Sequence, residues 1–218
     1  MELIRLEAPA FETGQVERAC ALLERGAVGV MPTDTVYGLV ALAGNRSAVA
    51  RVFEIKGRPA SKPVPVLVAG VEDASELTFA GGVKARRLME AFWPGPLTLV
   101  LKSRPGVALP FQDPASLALR VPDCPFCIAV IERAGFVVAP SANQSGKPPP
   151  SRFGEADPEL LGMVEFAVDG GTCPGGTEST VVGLTGGIEI IREGAIKRDA
   201  ILAVALGGPP PASLPNAR

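Results

Sequence analysis

The sequence predicts a single α/β domain built on a twisted, mixed β-sheet. Three observations lead to this fold class: helical and strand patterns alternate in the first half, strand patterns dominate the second half, and no internal repeat divides the chain. A length of 218 residues suffices to bury one sizeable core. Hydrophobic residues make up 47% and charged residues 20%, proportions that are ordinary for a soluble folded domain.

The first half predicts three helices that alternate with three strands. Apolar residues recur at helical spacing from Val16 to Leu23, and Gly26 supplies a stop. Ser47 is the expected N-cap of the second helix, which Gly57 ends. The expected helices cover residues 11–25, 47–56 and 83–92, and the expected strands cover residues 27–31, 64–68 and 97–101.

The second half predicts five strands, two helices and a tail. Pro125 suits the first turn of a helix, and Gly207 falls just past the end of another. We therefore expect one domain over residues 1–206, a proline-rich tail over residues 207–218, and no second domain. The expected strands cover residues 117–121, 136–139, 164–168, 180–184 and 188–192, and the expected helices cover residues 125–133 and 199–206.

Composition excludes several classes of function. The formal net charge is -2 and the sequence pI is about 5.4, which disfavours a protein that coats nucleic acid with its whole surface but leaves a local basic cleft open. Histidine is absent, so Ser-His-Asp catalysis, Cys-His catalysis and His-ligated zinc are excluded. The N-terminus lacks a signal-peptide pattern, and no apolar stretch approaches the roughly 20 residues of a membrane span. We therefore expect a cytoplasmic protein.

The four cysteines lie at positions 20, 124, 127 and 173. Cys124 and Cys127 form an isolated CxxC motif, a spacing that occurs in metal-binding and redox-active proteins. Ordinary buried thiols in a reducing cytoplasm are the favoured interpretation, and a metal or redox role is the alternative.

Three polar loops beside apolar strands are candidate ligand sites, because open α/β sheets bind ligands beyond their strand ends. Residues 32–39 hold two threonines, an aspartate and the only tyrosine; a capped turn that starts a helix is the alternative. Residues 56–63 hold three cations, which suit phosphate or form a solvated basic turn. Residues 140–147 offer hydroxyls and amides to a nucleotide, or form an Asx or Ser turn.

A fourth loop and two arginines complete the candidates. Residues 170–180 are rich in glycine and allow close backbone approach to a ligand, although a plain surface loop explains them equally well. Neither the P-loop pattern nor G-x-G-x-x-G occurs. Arg120 and Arg192 lie at the ends of apolar strands, where burying an unpaired charge is costly, and this favours a place in a site.

Seven sequence blocks, in this order, resemble the YrdC-like threonylcarbamoyl-adenylate synthase family. The resemblance extends from about residue 10 to about residue 206, and the only tryptophan and the only tyrosine lie inside the blocks. The blocks are PTDTVYGL (32–39), KGRPASKPVPVLV (56–68), FWPGPLTLVL (92–101), LALRVPDCP (117–125), APSANQSGKPPP (139–150), ESTVV (178–182) and IIREGAI (190–196).

The resemblance implies a single α/β domain with a large concave cleft lined by positive charge. It also implies a nucleotidyltransferase reaction, in which L-threonine, bicarbonate and ATP give threonylcarbamoyl-adenylate and pyrophosphate. A threonylcarbamoyl-transferase complex then modifies adenosine 37 of tRNAs that read ANN codons, so weak tRNA binding is a further expectation. Mg²⁺ is expected to accompany ATP with few protein ligands, and neither a protein-held metal nor a membrane partner is expected.

The family's functional residues fall on twelve positions of this chain. Lys56 and Arg58 are the expected catalytic residues, because their charge would stabilise the ATP phosphates. Arg120 is expected to pair with the threonine carboxylate. The residues expected to bind threonine are Thr33, Thr35, Arg120 and Ser179. The residues expected to bind ATP are Lys56, Arg58, Lys62, Ser116, Ser141, Asn143, Ser151 and Arg192.

The chain departs from the family at two points, and two other functions stay open. Leu67 stands near the place where many relatives carry a histidine, and longer relatives add a second C-terminal domain. An RNA-binding module of the same fold without catalysis is one alternative, which the acidic pI and the 5% aromatic content disfavour. The other is a carbamoyl-transfer domain of the hydrogenase-maturation type, which needs zinc-finger and acylphosphatase segments that the sequence does not show.

Overall fold

The described part of the chain folds into ten strands and seven α-helices. A computed structural model describes residues 1–7, 10–59 and 62–211. The strands are β1 (Glu2–Arg5), β2 (Gly29–Met31), β3 (Gly38–Leu42), β4 (Val66–Leu67), β5 (Leu97–Lys102), β6 (Ser116–Arg120), β7 (Val137–Val138), β8 (Phe166–Asp169), β9 (Thr180–Gly183) and β10 (Glu189–Arg192). The helices are α1 (Thr13–Glu24), α2 (Arg46–Lys56), α3 (Val71–Leu77), α4 (Val83–Phe92), α5 (Pro125–Ala134), α6 (Pro158–Gly162) and α7 (Arg198–Ala205), and a 3-10 turn spans Phe153–Glu155.

All ten strands join one sheet, in the order β1-β8-β2-β3-β7-β4-β6-β5-β9-β10. Four neighbouring pairs are parallel, namely β1/β8, β8/β2, β4/β6 and β5/β9. The other five pairs are antiparallel. The predicted α/β class with a mixed sheet is therefore confirmed.

Helices cover both faces of this sheet. Along β3, Leu39 and Ala41 pack into one apolar cluster and Val40 packs into the other, because successive side chains of a strand point to opposite faces. Helices α1 and α5 contribute to the cluster of Val40, whereas α2, α4 and α7 contribute to the cluster of Leu39. Burial on both faces explains why the central strands are almost continuously apolar.

The predicted elements are present, with bounds that agree to within two residues. The predicted cap of α2 is wrong, because Asn45 and not Ser47 is the N-cap: its side chain accepts the Ala48 backbone N–H at 3.1 Å. Ser47 instead donates its hydroxyl to the Asn45 side chain at 3.0 Å. Gly57 ends α2 as predicted, with the left-handed φ of 60° that glycine adopts without strain.

Four elements were not predicted: β1, β3, α3 and α6. Strand β3 follows the 32–37 segment directly, so the alternative in which that segment starts a helix is wrong. The strand pairs with β2 and β7 near the middle of the sheet, and this pairing decides its structure. Helices α3 and α6 have seven and five residues, too few turns to show a clear helical period.

The chain beyond α7 is described only in part. Residues 207–211 are exposed, and residues 212–218 of the predicted tail lie outside the described residues. The predicted domain bounds of 1–206 therefore stay a prediction. Across the described ranges, no helix is both long enough and apolar enough to cross a membrane.

Candidate functional site

Segments from distant parts of the chain surround one cavity of about 870 Å³. The 32–37 segment joins β2 to β3, Lys56 ends α2, Arg120 ends β6, and the 139–147 segment follows β7. Strands β3, β7, β4 and β6 are consecutive neighbours in the sheet, so their ends deliver these segments to the same place. This is the arrangement expected of ligand sites in open α/β sheets.

Eleven of the twelve predicted site residues line this cavity, and Ser151 does not. The Ser151 hydroxyl donates to Glu155 Oε2 at 2.9 Å, and the same carboxylate accepts the Ser151 backbone N–H. Ser151 thus contributes to the start of the 3-10 turn and is not brought together with the other ATP-binding candidates. The lining residues that were predicted are Thr33, Thr35, Lys56, Arg58, Lys62, Ser116, Arg120, Ser141, Asn143, Ser179 and Arg192.

Arg120 lies in the cavity wall and is only 6% exposed, and we call it and the groups bonded to it the Arg120 end. Its Nε donates to the Gly95 carbonyl at 2.9 Å, and its Nη1 donates to Thr35 Oγ1 at 2.8 Å. Its Nη2 forms a buried salt bridge with Asp34. These contacts use three of the five guanidinium N–H groups and hold the planar group in one orientation.

Thr35 and Thr33 continue the hydrogen-bond network from Arg120. Their hydroxyl oxygens are 2.9 Å apart, and Thr33 donates its proton to the Val36 carbonyl at 2.7 Å. Since each hydroxyl has one proton, Thr35 donates to Thr33 while it accepts from Arg120. The backbone N–H groups of Thr35 and Val36 also donate to Thr33 Oγ1. The segment is therefore folded around its own side chains at this end of the cavity.

Lys56 is a second buried cation in the cavity wall, and we call it and its loop neighbours Arg58 and Lys62 the Lys56 end. Its Nζ lies 2.6 Å and 3.1 Å from the carbonyl oxygens of Ser141 and Asn143, and 3.2 Å and 2.9 Å from their side-chain oxygens. An ammonium group has three protons, so these oxygens already satisfy it. Burial lowers the pKa of Lys56 to about 8. Lys56 thus ties α2 to the 139–147 segment and would act on a ligand chiefly through its charge.

Arg58 and Lys62 are more open than Lys56. Arg58 is half-buried, and it donates to the carbonyls of Lys62 at 2.8 Å and Pro63 at 3.0 Å. Burial, and then the nearby charge of Arg192, lower the pKa of Arg58. Lys62 is exposed at the cavity rim. The loop's own backbone carbonyls therefore orient the Arg58 guanidinium, and its side chain reaches the cavity.

Ser179 and Arg192 form a third group, on the segment before β9 and on β10. Arg192 donates to the Ser179 carbonyl at 2.9 Å and to its hydroxyl at 3.3 Å. It also forms a salt bridge with Glu178 at 2.9 Å. The Ser179 hydroxyl lies 2.8 Å from Thr98 Oγ1 on β5. Ser116, by contrast, donates its hydroxyl to Asp113 at 2.8 Å.

The glycine-rich segment is held by Tyr37 and does not wrap the cavity. The buried Tyr37 hydroxyl donates to the Gly171 carbonyl at 3.0 Å and accepts the Gly170 N–H at 3.1 Å. Burial raises the pKa of this phenol well above its ordinary value. Of residues 170–180, only Glu178 and Ser179 line the cavity. The close approach to a ligand expected from this segment is therefore confined to its end.

The cavity lining carries six cations and two carboxylates. Sequence reasoning missed Glu178 and Asp113 as lining residues and Asp34 as the partner of Arg120. Asp34 and Glu178 lie inside two of the blocks that carry the resemblance, so a signal for them existed. No group of three His, Cys, Asp or Glu side chains in residues 1–7, 10–59 and 62–211 is arranged to hold a metal ion. The excess of cations suits a ligand with several negative charges.

Comparison with known proteins finds relatives over most of the chain. A Bacillus subtilis threonylcarbamoyl-AMP synthase is 40% identical over 194 residues, which cover 87% of this chain and 56% of the relative. A Pyrococcus abyssi threonylcarbamoyl-AMP synthase is 39% identical over 179 residues, 80% of this chain and 52% of the relative. This chain thus spans about half the length of these two relatives.

Solved structures share the fold. Pyrococcus abyssi Sua5 complexed with L-threonine superposes with a TM-score of 0.87 at 32% identity, over 96% of this chain and 62% of that one. Escherichia coli YciO superposes with a TM-score of 0.81 at 25% identity, over 90% of this chain and 98% of that one. The Sua5/YciO/YrdC family model, described as "Telomere recombination", matches residues 21–194. With four-fifths of its length inside that match, the chain belongs to the Sua5/YciO/YrdC family.

Proposed function

We propose that this chain is a threonylcarbamoyl-AMP synthase, an ATP-dependent nucleotidyltransferase that uses L-threonine and bicarbonate. The observation that carries the proposal is that one cavity joins a buried Arg120–Thr35–Thr33 network to the cations of the 56–62 segment. The names of the Bacillus and Pyrococcus relatives support this activity, and the L-threonine complex of Pyrococcus abyssi Sua5 supports threonine as a substrate.

The Arg120 end suits the amino acid. Arg120 has two N–H groups beyond those bound to Gly95, Thr35 and Asp34, and a carboxylate can accept both. The Ser179 hydroxyl bonds Thr98 and Arg192 and keeps one further hydrogen-bonding position for threonine. Leu67 lines the cavity and would contact the methyl group of threonine.

The cationic end suits the triphosphate of ATP. Threonine and bicarbonate combine to a carbamate with loss of water, and a carbamate oxygen attacks the α-phosphorus. The bond from that phosphorus to the β-phosphate oxygen breaks, and pyrophosphate leaves. Arg58 and Lys62 would stabilise the charge on the leaving pyrophosphate, while Lys56 orients the Ser141–Asn143 segment against the nucleotide.

Mg²⁺, the downstream partner and the compartment are part of the same proposal. Both lining carboxylates are engaged, Asp113 with Ser116 and Glu178 with Arg192, so Mg²⁺ would enter as part of the ATP substrate. The labile product would pass to a threonylcarbamoyl-transferase complex that modifies adenosine 37 of tRNA, in the cytoplasm. Direct contact with tRNA would be weak.

Pyrophosphate release, with threonine and bicarbonate each omitted in turn, tests this function. We expect release only when threonine, bicarbonate, ATP and Mg²⁺ are all present. Release that needs neither threonine nor bicarbonate, or no release under any condition, would contradict the proposal. A gel-shift titration against salt then examines the RNA-binding alternative, which requires tight binding with a steep salt dependence.

A further inference from the structure

Three of the four cysteines converge on one peptide unit behind the cavity. Cys127 Sγ donates to the Pro32 carbonyl at 3.0 Å, and Cys124 Sγ lies 3.8 Å from the same oxygen. On the other side of that peptide, burial raises the pKa of the Cys173 thiol, and the nearby Thr33 backbone N–H opposes this rise. Thiols therefore surround the peptide bond between Pro32 and Thr33. The side chain of Thr33 itself lines the cavity.

Cys124 and Cys127 also contact each other at the start of a helix. Cys124 is the N-cap residue of α5, Pro125 occupies the first turn, and Cys127 follows one turn later. Both sulfur atoms lie against the same carbonyl oxygen of Pro32, at 3.8 Å and 3.0 Å, and each thiol shifts the pKa of the other. Residues three apart at a helix start have the Cα separation that a disulfide requires.

The two sulfurs differ in access. Cys124 is half-buried, whereas Cys127 is fully buried. The thiol of Cys127 and the helix N–H groups lower the pKa of Cys124, while its Cys124 partner and burial raise the pKa of Cys127. A partly exposed, more acidic first cysteine and a buried second one are the features of an attacking and a resolving thiol.

We propose that Cys124 and Cys127 form a reversible disulfide whose formation releases the Pro32 carbonyl and loosens the threonine end of the cavity. The oxidant would be a small-molecule disulfide. The Cys124 thiolate attacks one sulfur of that disulfide, which gives a mixed disulfide and one free thiolate. Cys127 then attacks Cys124 Sγ, its proton goes to a departing sulfur, and the second small thiol leaves. Two protein thiols are thus oxidised while one disulfide is reduced to two thiols.

The consequence for the cavity follows from the hydrogen bonds. Once the disulfide forms, neither sulfur carries a proton for the Pro32 carbonyl, a buried acceptor. The peptide must turn to find another donor, and Thr33 turns with it. Because Thr33 Oγ1 accepts from Thr35 and Val36, the whole segment is disturbed. The effect on threonine binding rests on the proposed function, but the effect on the segment does not.

The test equilibrates the intact protein with glutathione disulfide and with glutathione. Intact mass, peptide mapping and thiol counting should show loss of two thiols and one Cys124–Cys127 bridge, fully reversed by reduction. Cys127→Ser should stop at a stable glutathione adduct on Cys124, and Cys124→Ser should not react. Cys20→Ser is the matched control, since this buried thiol contacts Val130 and not the segment; it should behave as the wild type.

Two further measurements separate the inference from the proposed function. Hydrogen exchange at the Thr35 and Val36 amides should accelerate about tenfold in the oxidised protein, and calorimetric threonine affinity should fall about tenfold. Free thiols after equilibration, a bridge that involves Cys173, or unchanged exchange in the bridged protein would each overturn the proposal. If threonine binds neither form while exchange responds, the proposed function fails and the thiol switch stands.

Discussion

The Arg120 end and the Lys56 end of the cavity differ in how their charged groups are held. At the Arg120 end, the guanidinium, two hydroxyls and a carboxylate are buried and bonded to one another. At the Lys56 end, one buried ammonium is satisfied by a loop, and its companions Arg58 and Lys62 are progressively more exposed. The side chains of the first end are therefore held in one arrangement, whereas the exposed cations of the second end can adjust their positions.

The ligands proposed above give this difference a physical reason. An amino acid presents a single carboxylate that a preoriented guanidinium can fork, and discrimination requires polar groups that would be left unpaired by a wrong ligand. A triphosphate is flexible and highly charged, and it changes its charge distribution as pyrophosphate leaves. Stability should therefore depend mainly on the Arg120 end, and turnover mainly on the Lys56 end.

The largest expected effect is that of Arg120→Ala. The substitution removes the ion pair from the buried Asp34 carboxylate and should lower the free energy of unfolding by about 3–5 kcal/mol. It should also raise the threonine KM by about 100-fold, through loss of a charged hydrogen-bond donor. Urea unfolding and threonine titrations measure the two effects.

A double variant, Asp34→Asn with Arg120→Met, is the control for this prediction. It replaces the buried pair with uncharged groups of similar volume, so stability should largely return while threonine binding should not. If the Arg120→Ala variant were as stable as the wild type, stability would not depend mainly on the Arg120 end, and the contrast between the two ends would be wrong.

Arg58→Ala should have the next largest effect, and of the opposite kind. Arg58 is half-buried, and its side chain donates hydrogen bonds to two carbonyls of its own loop. Its loss should therefore change the free energy of unfolding by less than about 1 kcal/mol. Turnover should fall about 100-fold, the usual scale for one charge-stabilising contact. Steady-state kinetics and urea unfolding of the same variant test this prediction. A raised threonine KM with an unchanged kcat would contradict it.

Lys56 should produce a smaller effect, a pH dependence of ATP affinity and of stability in opposite directions. Its pKa of about 8 in the folded chain lies below the ordinary value of 10.5 because the side chain is buried. Above pH 8 the folded protein carries less charge at this site, so ATP affinity should fall, by roughly three- to tenfold up to about pH 9.

The stability of the protein should change in the opposite direction over the same range. Between the folded and the unfolded pKa the unfolded chain binds more protons, so the free energy of unfolding should rise with pH, by on the order of 1–3 kcal/mol. Calorimetry with ATP and urea unfolding at matched pH values test both trends. Lys56→Arg, which stays charged, should abolish them; equal trends in both proteins would assign the titration elsewhere.

The contrast between the two ends also shows what the sequence could and could not predict. Residue types alone favoured a place in a site for Arg120, since an arginine inside an apolar strand needs a partner. Its grouping with Thr33 and Thr35 came from the family resemblance, and the identity of its partner Asp34 required the β2–β3 connection to lie beside β6. Strand β3 was not predicted because it is buried on both faces and its sequence is continuously apolar. It therefore lacks the alternation of polar and apolar residues that indicates a strand. The convergence of Cys124, Cys127 and Cys173 on Pro32 depends on the same unpredicted pairing.

The smallest expected effect concerns the one predicted ligand residue that the fold places elsewhere. Ser151 bonds Glu155 at the 3-10 turn, whereas Ser141 contacts Lys56 Nζ inside the cavity, so the two serines form a matched pair. Ser151→Ala should alter ATP affinity by less than about twofold, as an ordinary partly exposed substitution does. Ser141→Ala should weaken it several-fold more, because the loop around Lys56 loses one of its four oxygens. Calorimetry with ATP compares the affinities of the two variants. A larger loss of ATP affinity in Ser151→Ala than in Ser141→Ala would mean that the 3-10 turn moves into the cavity when nucleotide binds.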